Sequence, residues 1–424
     1  MTTESRTPTP PRTRILLSEG ASTSAREAIT ALGLKGCHVE ICDPDAHCLG
    51  RFSRLVQRFH RCPGLGVDPE MYLAFILGLI SSGRFDVLLP IHEQGYLFAS
   101  IREQISPHVA VALPSFESYD RVHNKIRFSQ LLTELGLPQP DTRFLQNSKD
   151  LAGIEQFPLV LKTSVGTASR GTWIIRNTTD LAHAMREIGD ADASDGPLLL
   201  QELIHGSVEH AQAIFCEGRL VGVHMVQQLI QGAGGGPALK QSIRRPEVRA
   251  HLMKLGERLR WHGALSVDYI VGEDCQIPLY IDCNPRLVEP MSAWFAGLDL
   301  TDLLVRVSLG EAPPGVLESR EGVRTHLAIQ ALLGCALRSG SRWEVLRECC
   351  RLIVKRGPYA GSREELTPAA FDWLSVIPAV ATALWLLAYP AAAFNLPRRG
   401  WGSHLLTPST VHQIRRRMGA TGYT

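Results

Sequence analysis

The stretch ALSVDYIVGEDCQIPLYIDCNPR, Ala264 to Arg286, limits the folds open to this chain more than any other. Two apolar runs flank a short polar turn, GEDCQI, which reads as an antiparallel hairpin. If the arms pair symmetrically about Cys275, Asp268 faces Asp282 directly. Side chains alternate along a strand, so Asp282 and Asn284 share one face. Asp268, Asp282 and Asn284 then converge as three oxygen ligands. Two facing carboxylates in a sheet repel, so a positive charge is expected between them. Such ligands suit magnesium (or manganese), which takes few protein groups and completes its shell with water and phosphate oxygens. The competing reading is a solvated hairpin face with incidental acids, and the apolar flanking runs disfavour it.

The 424 residues exceed what one hydrophobic core organises, so several structural units are expected. Residues 1–12 are polar and Pro/Thr-rich, and read as a disordered leader with no apolar signal segment. Residues 13–115 alternate strand and helix patterns, from RILLSEG through SAREAITALG and CHVEICD to VAVALP. That alternation predicts a small α/β domain with a parallel sheet. Its first strand–helix turn, SEGASTSA, lacks the G-x-G-x-x-G of a dinucleotide site. HEQGY at His92 starts like a zincin motif but lacks the second histidine, so Glu93 reads as a strand-end acid directed at a cleft. Residues 116–312 form an α+β unit with mostly antiparallel strands. A net charge of +2 and the absence of RNP, zinc-finger or basic-zipper signatures give no case for nucleic-acid binding. Cys37, Cys42, Cys48 and Cys62 lie near three histidines, yet their spacing matches no closed zinc pattern, so reduced thiols are expected.

A phosphate site also needs cations and backbone donors. Lys162 ends the strand PLVLK, and TSVGTASRG follows with Gly166 and Gly171. Small residues let backbone N–H groups approach phosphate oxygens, and a lysine adds a point charge. The G-K-[ST] ending of a Walker A loop is absent. In LLLQELIHGSVEH a strand ends at Glu202, and Glu209 follows beyond Gly206. A free strand edge could bond a base, and a nearby carboxylate could bond ribose hydroxyls; exposed loop acids are the plainer explanation.

In this order, the elements resemble the ATP-grasp superfamily, with the closest echo in the carbamoyl phosphate synthetase and biotin carboxylase branch. The resemblance covers about residues 12–310. It implies an ATP-grasp fold with an N-terminal Rossmann-like α/β domain, two α+β subdomains that hold ATP between them, and a helical C-terminal extension. By the same resemblance, Lys125 and Lys162 contact the nucleotide, Gly166 and Gly171 belong to a glycine-rich lid, and Glu202 with the Ile204 backbone forms the adenine hinge. Glu209 is similar to the ribose acid, and Asp268, Asp282 and Asn284 to the metal ligands. Arg286 is similar to the arginine that steadies the transferred phosphate. The usual Glu-x-Asn ending is here Asp282-x-Asn284, and the lid has fewer glycines than the carboxylase type. The implied activity is a stand-alone ATP-dependent ligase joining a small-molecule carboxylate to an amine through an acylphosphate. A non-catalytic ATP sensor and a phosphotransferase are the rival readings. Arg244, Arg245 and Glu289 are candidate substrate contacts, with helix flanking the alternative for the two arginines.

Residues 313–424 read as helical and partly hydrophobic. Trp373 to Leu396 contains no charge and is long enough for a bilayer. Pro378 and Pro390 leave only a short unbroken run between them, too short to cross. ATP chemistry and the basic tail both favour the cytoplasmic side. A cytoplasmic protein resting on the membrane surface through residues 373–401, and a buried helix of a C-terminal unit, both remain open.

Overall fold

The computed structural model describes residues 12–151, 153–166, 171–190, 196–273, 276–395 and 404–420. The expected leader therefore lies almost wholly outside the described residues. Strands β1 (Arg14–Leu17), β2 (His38–Asp43), β3 (Val56–Arg61) and β4 (Val87–Leu89) form a parallel sheet in the order β3-β2-β1-β4. The apolar runs are buried on both faces, as a parallel sheet covered by helices requires. The helix Thr23–Leu34 begins where the Ser22 hydroxyl accepts from the Ala25 N–H. VAVALP was expected as a further strand; it makes a single bridge, Val87 to Ala110, and otherwise runs as connecting chain.

Two sheets follow. The smaller is antiparallel, in the order β5-β8-β6-β7, from β5 (Thr142–Leu145), β6 (Leu159–Thr163), β7 (Thr172–Ile175) and β8 (Leu198–Glu202). The larger is built on β9 (Gly206–Cys216), β10 (Arg219–Gln231), β11 (Pro237–Ile243), β12 (Gly263–Gly272) and β13 (Pro278–Asn284). Its order is β13-β12-β9-β10-β11-β15-β16, where β15 is Arg324–His326 and β16 is Arg363–Glu364; β14 (Leu317–Glu318) pairs alongside β10. Residues beyond 312 thus supply strands as well as helices, and the large sheet runs across the expected boundary.

The end of the described chain returns to its beginning. Arg26 and Asp372, both buried, form an ion pair at 2.8 Å. His404 bonds Asp43 through Nε2 at 2.9 Å and Gln94 through Nδ1 at 3.1 Å. The Leu406 N–H donates to Glu93 at 2.5 Å, and Arg415 pairs with Asp120 at 2.6 Å. Glu19, Asp43 and His404 are grouped closely enough to suggest a metal. Hydrogen bonds account for them, because Glu19 accepts from Ala21 N–H and Ser22 N–H, and Asp43 from Gly20 N–H. No cysteine belongs to that group; Cys42, Cys48 and Cys62 are buried thiols, and burial pushes Cys62 up to about 12.

The uncharged stretch folds as a helix, Val376–Ala388, flanked by short turns of 3-10 helix. No described helix is long and apolar enough to cross a membrane.

Candidate nucleotide site

The hairpin register is the one the sequence implies: Asp268 pairs with Asp282, and Ser266 with Asn284. The symmetry then breaks. Tyr269 pairs with Tyr280, so Ile281 is an extra residue on β13. Its carbonyl, freed from regular pairing, accepts from Lys162 Nζ at 2.7 Å. The hairpin turn itself, residues 274–275, lies outside the described residues.

The acids are held by cations. Lys125 Nζ lies 2.5 Å from Asp282 Oδ2. The lysine stands in the first turn of the helix Lys125–Glu134, whose N-cap Asn124 accepts from the N–H groups of Ile126 and Arg127. Asp268 Oδ1 is 2.7 Å from His210 Nδ1, and the Asn284 amide donates to its other oxygen at 3.3 Å. Burial works against the Asp268 charge, yet His210, Lys125 and Arg286 hold its pKa below the usual range. Burial pulls His210 down, and the Asp268 carboxylate more than reverses it. Arg286 Nη2 donates to Asn284 Oδ1 at 3.2 Å, so the three ligand candidates and the arginine are one connected array.

Lys162 reaches the same space from the small sheet. It donates to Gln201 Oε1 and Ile281 O, each at 2.7 Å. Burial, partly offset by Asp282, pushes its pKa down to about 8. The loop after it joins β6 to β7. Gly171 has φ +70°, and a Cβ there would meet Thr163 Oγ1 at 2.1 Å, so glycine is required. The expected lid spans residues 164–171, of which 167–170 lie outside the described residues.

These groups line one cavity of about 390 Å3. Glu202, Leu203 and Ile204 border it at the end of β8, and Gly166 borders it beside the lysines. Ser22, Thr23 and Ser24 border it from the first domain, and Lys240 and Glu289 from the large sheet. Glu93 lines a small adjoining cavity with Arg286.

Two sets of candidates stand away from the cavity lining. Glu209 is completely buried and takes a two-pronged contact from Arg245, at 3.0 and 2.6 Å. It is inside β9, where Val208, His210 and Gln212 face the cavity and Glu209 takes the opposite face. Neither Arg245 nor the exposed Arg244 borders the cavity. Of the substrate-contact candidates, Glu289 does, with a left-handed backbone (φ 53°) and Lys240 Nζ at 2.5 Å. Sequence reasoning missed His210. Alternation along SVEHAQ would have found it, since it stands directly across from Asp268.

Asp268, Asp282 and Asn284 offer two carboxylates and an amide oxygen, a donor set that fits a hard divalent cation. Such an ion would take over the contacts that Lys125 and His210 now make.

The ATP-grasp domain family matches residues 122–290. The chain is 26% identical over 213 residues to the large chain of carbamoyl phosphate synthase from Pasteurella multocida, covering 47% of this chain and 20% of that protein. It therefore spans about a fifth of the curated relatives that it matches. The biotin carboxylase domain of Hydrogenobacter thermophilus 2-oxoglutarate carboxylase, solved with MgADP and bicarbonate, superposes with TM-score 0.59 at 18% identity, over 73% of each chain. The ADP complex of N5-carboxyaminoimidazole synthetase from Staphylococcus aureus gives TM-score 0.60 at 14% identity, over 76% of this chain and 84% of that one. The L-amino acid ligase of Bacillus licheniformis gives 0.56 at 15%, over 72% and 77%. These structural likenesses carry the fold. The family match places an ATP-grasp domain at residues 122–290 of this chain.

Proposed function

We propose that the chain is an ATP-dependent ligase that activates a small-molecule carboxylate as an acylphosphate and joins it to an amine. The reading rests on one observation: Lys125, Lys162, Arg286 and the acid pair Asp268/Asp282 line a single cavity together with Glu202 and Ile204. Asp268, Asp282 and Asn284 would hold magnesium, which supplies charge neutralisation at the phosphates when bound. Lys162 and Lys125 would bind phosphate oxygens, and the hinge at Glu202–Ile204 would bond the base. The substrate carboxylate attacks the γ-phosphorus and ADP departs. The amine then attacks the acyl carbon, loses a proton, and phosphate leaves. Placement and charge neutralisation suffice, with no protein nucleophile. ATP supply places the reaction in the cytoplasm.

Phosphate release over a panel of carboxylates crossed with amines tests the reading, with Asp282→Ala as control. Release that needs both substrates, and that the substitution abolishes, is expected. Release with a carboxylate or alcohol alone would indicate phosphotransfer. Tight ATP binding with silence across the panel would indicate a sensor.

A further inference from the structure

We propose that the paired helices Arg342–Val354 and Val376–Ala388 form a docking face for an anionic lipid surface. The two helices pack against each other, and Leu386 is buried in the core they share with the helix Ala328–Ser339. The outer side of Val376–Ala388 is open. Ile377, Val380, Ala381, Leu384, Trp385 and Ala388 are exposed there and recur at helical spacing as one apolar stripe. Leu384 is 63% exposed and Trp385 48%. The neighbouring helix adds a second stripe, in which Trp343 is 78% exposed and Ile353 81%, with Leu346 and Val354 also exposed. Large exposed apolar side chains gathered on two helices that pack together mark an interaction site.

The chemistry around the stripes selects the occupant. No charged residue stands between Trp373 and Asn395. Exposed cations flank the second stripe: Arg342 beside Trp343, Arg347 beside Leu346, and Lys355 and Arg356 after Val354. Of that helix's acids, Glu348 is buried against Tyr359 and Arg351, and Glu344 lies beside Arg347. The face is therefore apolar with a cationic rim, complementary to headgroups that carry negative charge. Exposed Trp373 precedes the Val376–Ala388 helix, and exposed Tyr389 and Phe394 follow it. Tryptophan and tyrosine favour the headgroup level. Thirteen residues give about 20 Å of helix, too short to span a bilayer and suited to lying in its plane. The proposal is independent of the ligase reading.

The test is co-sedimentation of the full chain with vesicles of phosphatidylcholine alone, or with about one third phosphatidylglycerol. The chain should pellet with the mixed vesicles, pellet far less with phosphatidylcholine, and release as salt rises. Leu384→Glu and Trp343→Glu should each lower the bound fraction about tenfold, with unchanged thermal unfolding because both side chains stand in solvent. Met253→Glu, an exposed position on the helix Pro246–Leu259, should bind like wild type. Absence of pelleting with either vesicle overturns the proposal, and equal pelleting with both overturns its anionic part. A concentration-dependent dimer that Leu384→Glu dissolves, with no vesicle binding, would assign the face to a second copy of the chain.

Discussion

Two groups of acids and cations border the same cavity and behave in opposite ways. On the hairpin, Asp268 and Asp282 meet Lys125 and His210, with the acid side chains 25% and 31% exposed. Deeper, Lys240 sits 2.5 Å from Glu289 and 2.9 Å from Glu365, and is 2% exposed. Burial, reinforced by Glu365 and Glu289, pushes the nearby Glu27 well above the usual carboxylate range. The residue types match; the solvation does not. Where water reaches the acids, their cationic partners can be exchanged for a ligand. Where it does not, the same pairing ties Lys240 of β11 to Glu289, beyond β13, and to Glu365, which follows β16.

The comparison breaks most sharply at Lys240. Lys240→Met leaves three buried acids without a cation and should cost about 3–5 kcal/mol in urea unfolding. A loss below about 1 kcal/mol would mean that water reaches the cluster. On the hairpin, Asp282→Ala should lower phosphate release by roughly 10²–10³-fold and leave the unfolding midpoint almost unchanged. Next comes pH. Burial, only partly countered by Lys240, raises the Glu365 pKa from 4.5 to about 7. A raised pKa means that the folded state binds the proton more tightly, so this stability is complete below about 4.5 and is lost as pH rises through about 7. The loss should be on the order of 3 kcal/mol, and Glu365→Gln should flatten it. The smallest effect is expected from Glu209→Gln. Stability should fall by about 1–3 kcal/mol, while the KM for ATP stays within about twofold. A tenfold rise in that KM would restore Glu209 to the ribose.

The hairpin was legible because strand alternation is a rule of period two, which fixes which acid meets which. The bulge at Ile281 was not, since one inserted residue leaves no compositional trace, yet it delivers the carbonyl that holds Lys162. For Glu209 the resemblance supplied a role without a face. β9 already begins at Gly206, which turns Glu209 toward Arg245 and presents His210 in its place. The parallel sheet was readable from alternating strands and helices. The strands added by residues beyond 312 were not, because two- or three-residue strands carry no periodicity and form only against an existing edge. Apolarity of the 373–396 stretch was plain; its helix takes in Pro378 within the first turn and stops before Pro390.

The closing contacts of residues 404–420 also set an order of events during synthesis. Asp43 leaves the ribosome 361 residues before His404, and Glu93 precedes Leu406 by 313. The first sheet can pair as it emerges, but these acids stay hydrated until their partners arrive, since burying them unpaired is costly. The polar interior of the N-terminal domain can therefore close around these acids only once residues 404–406 have been made.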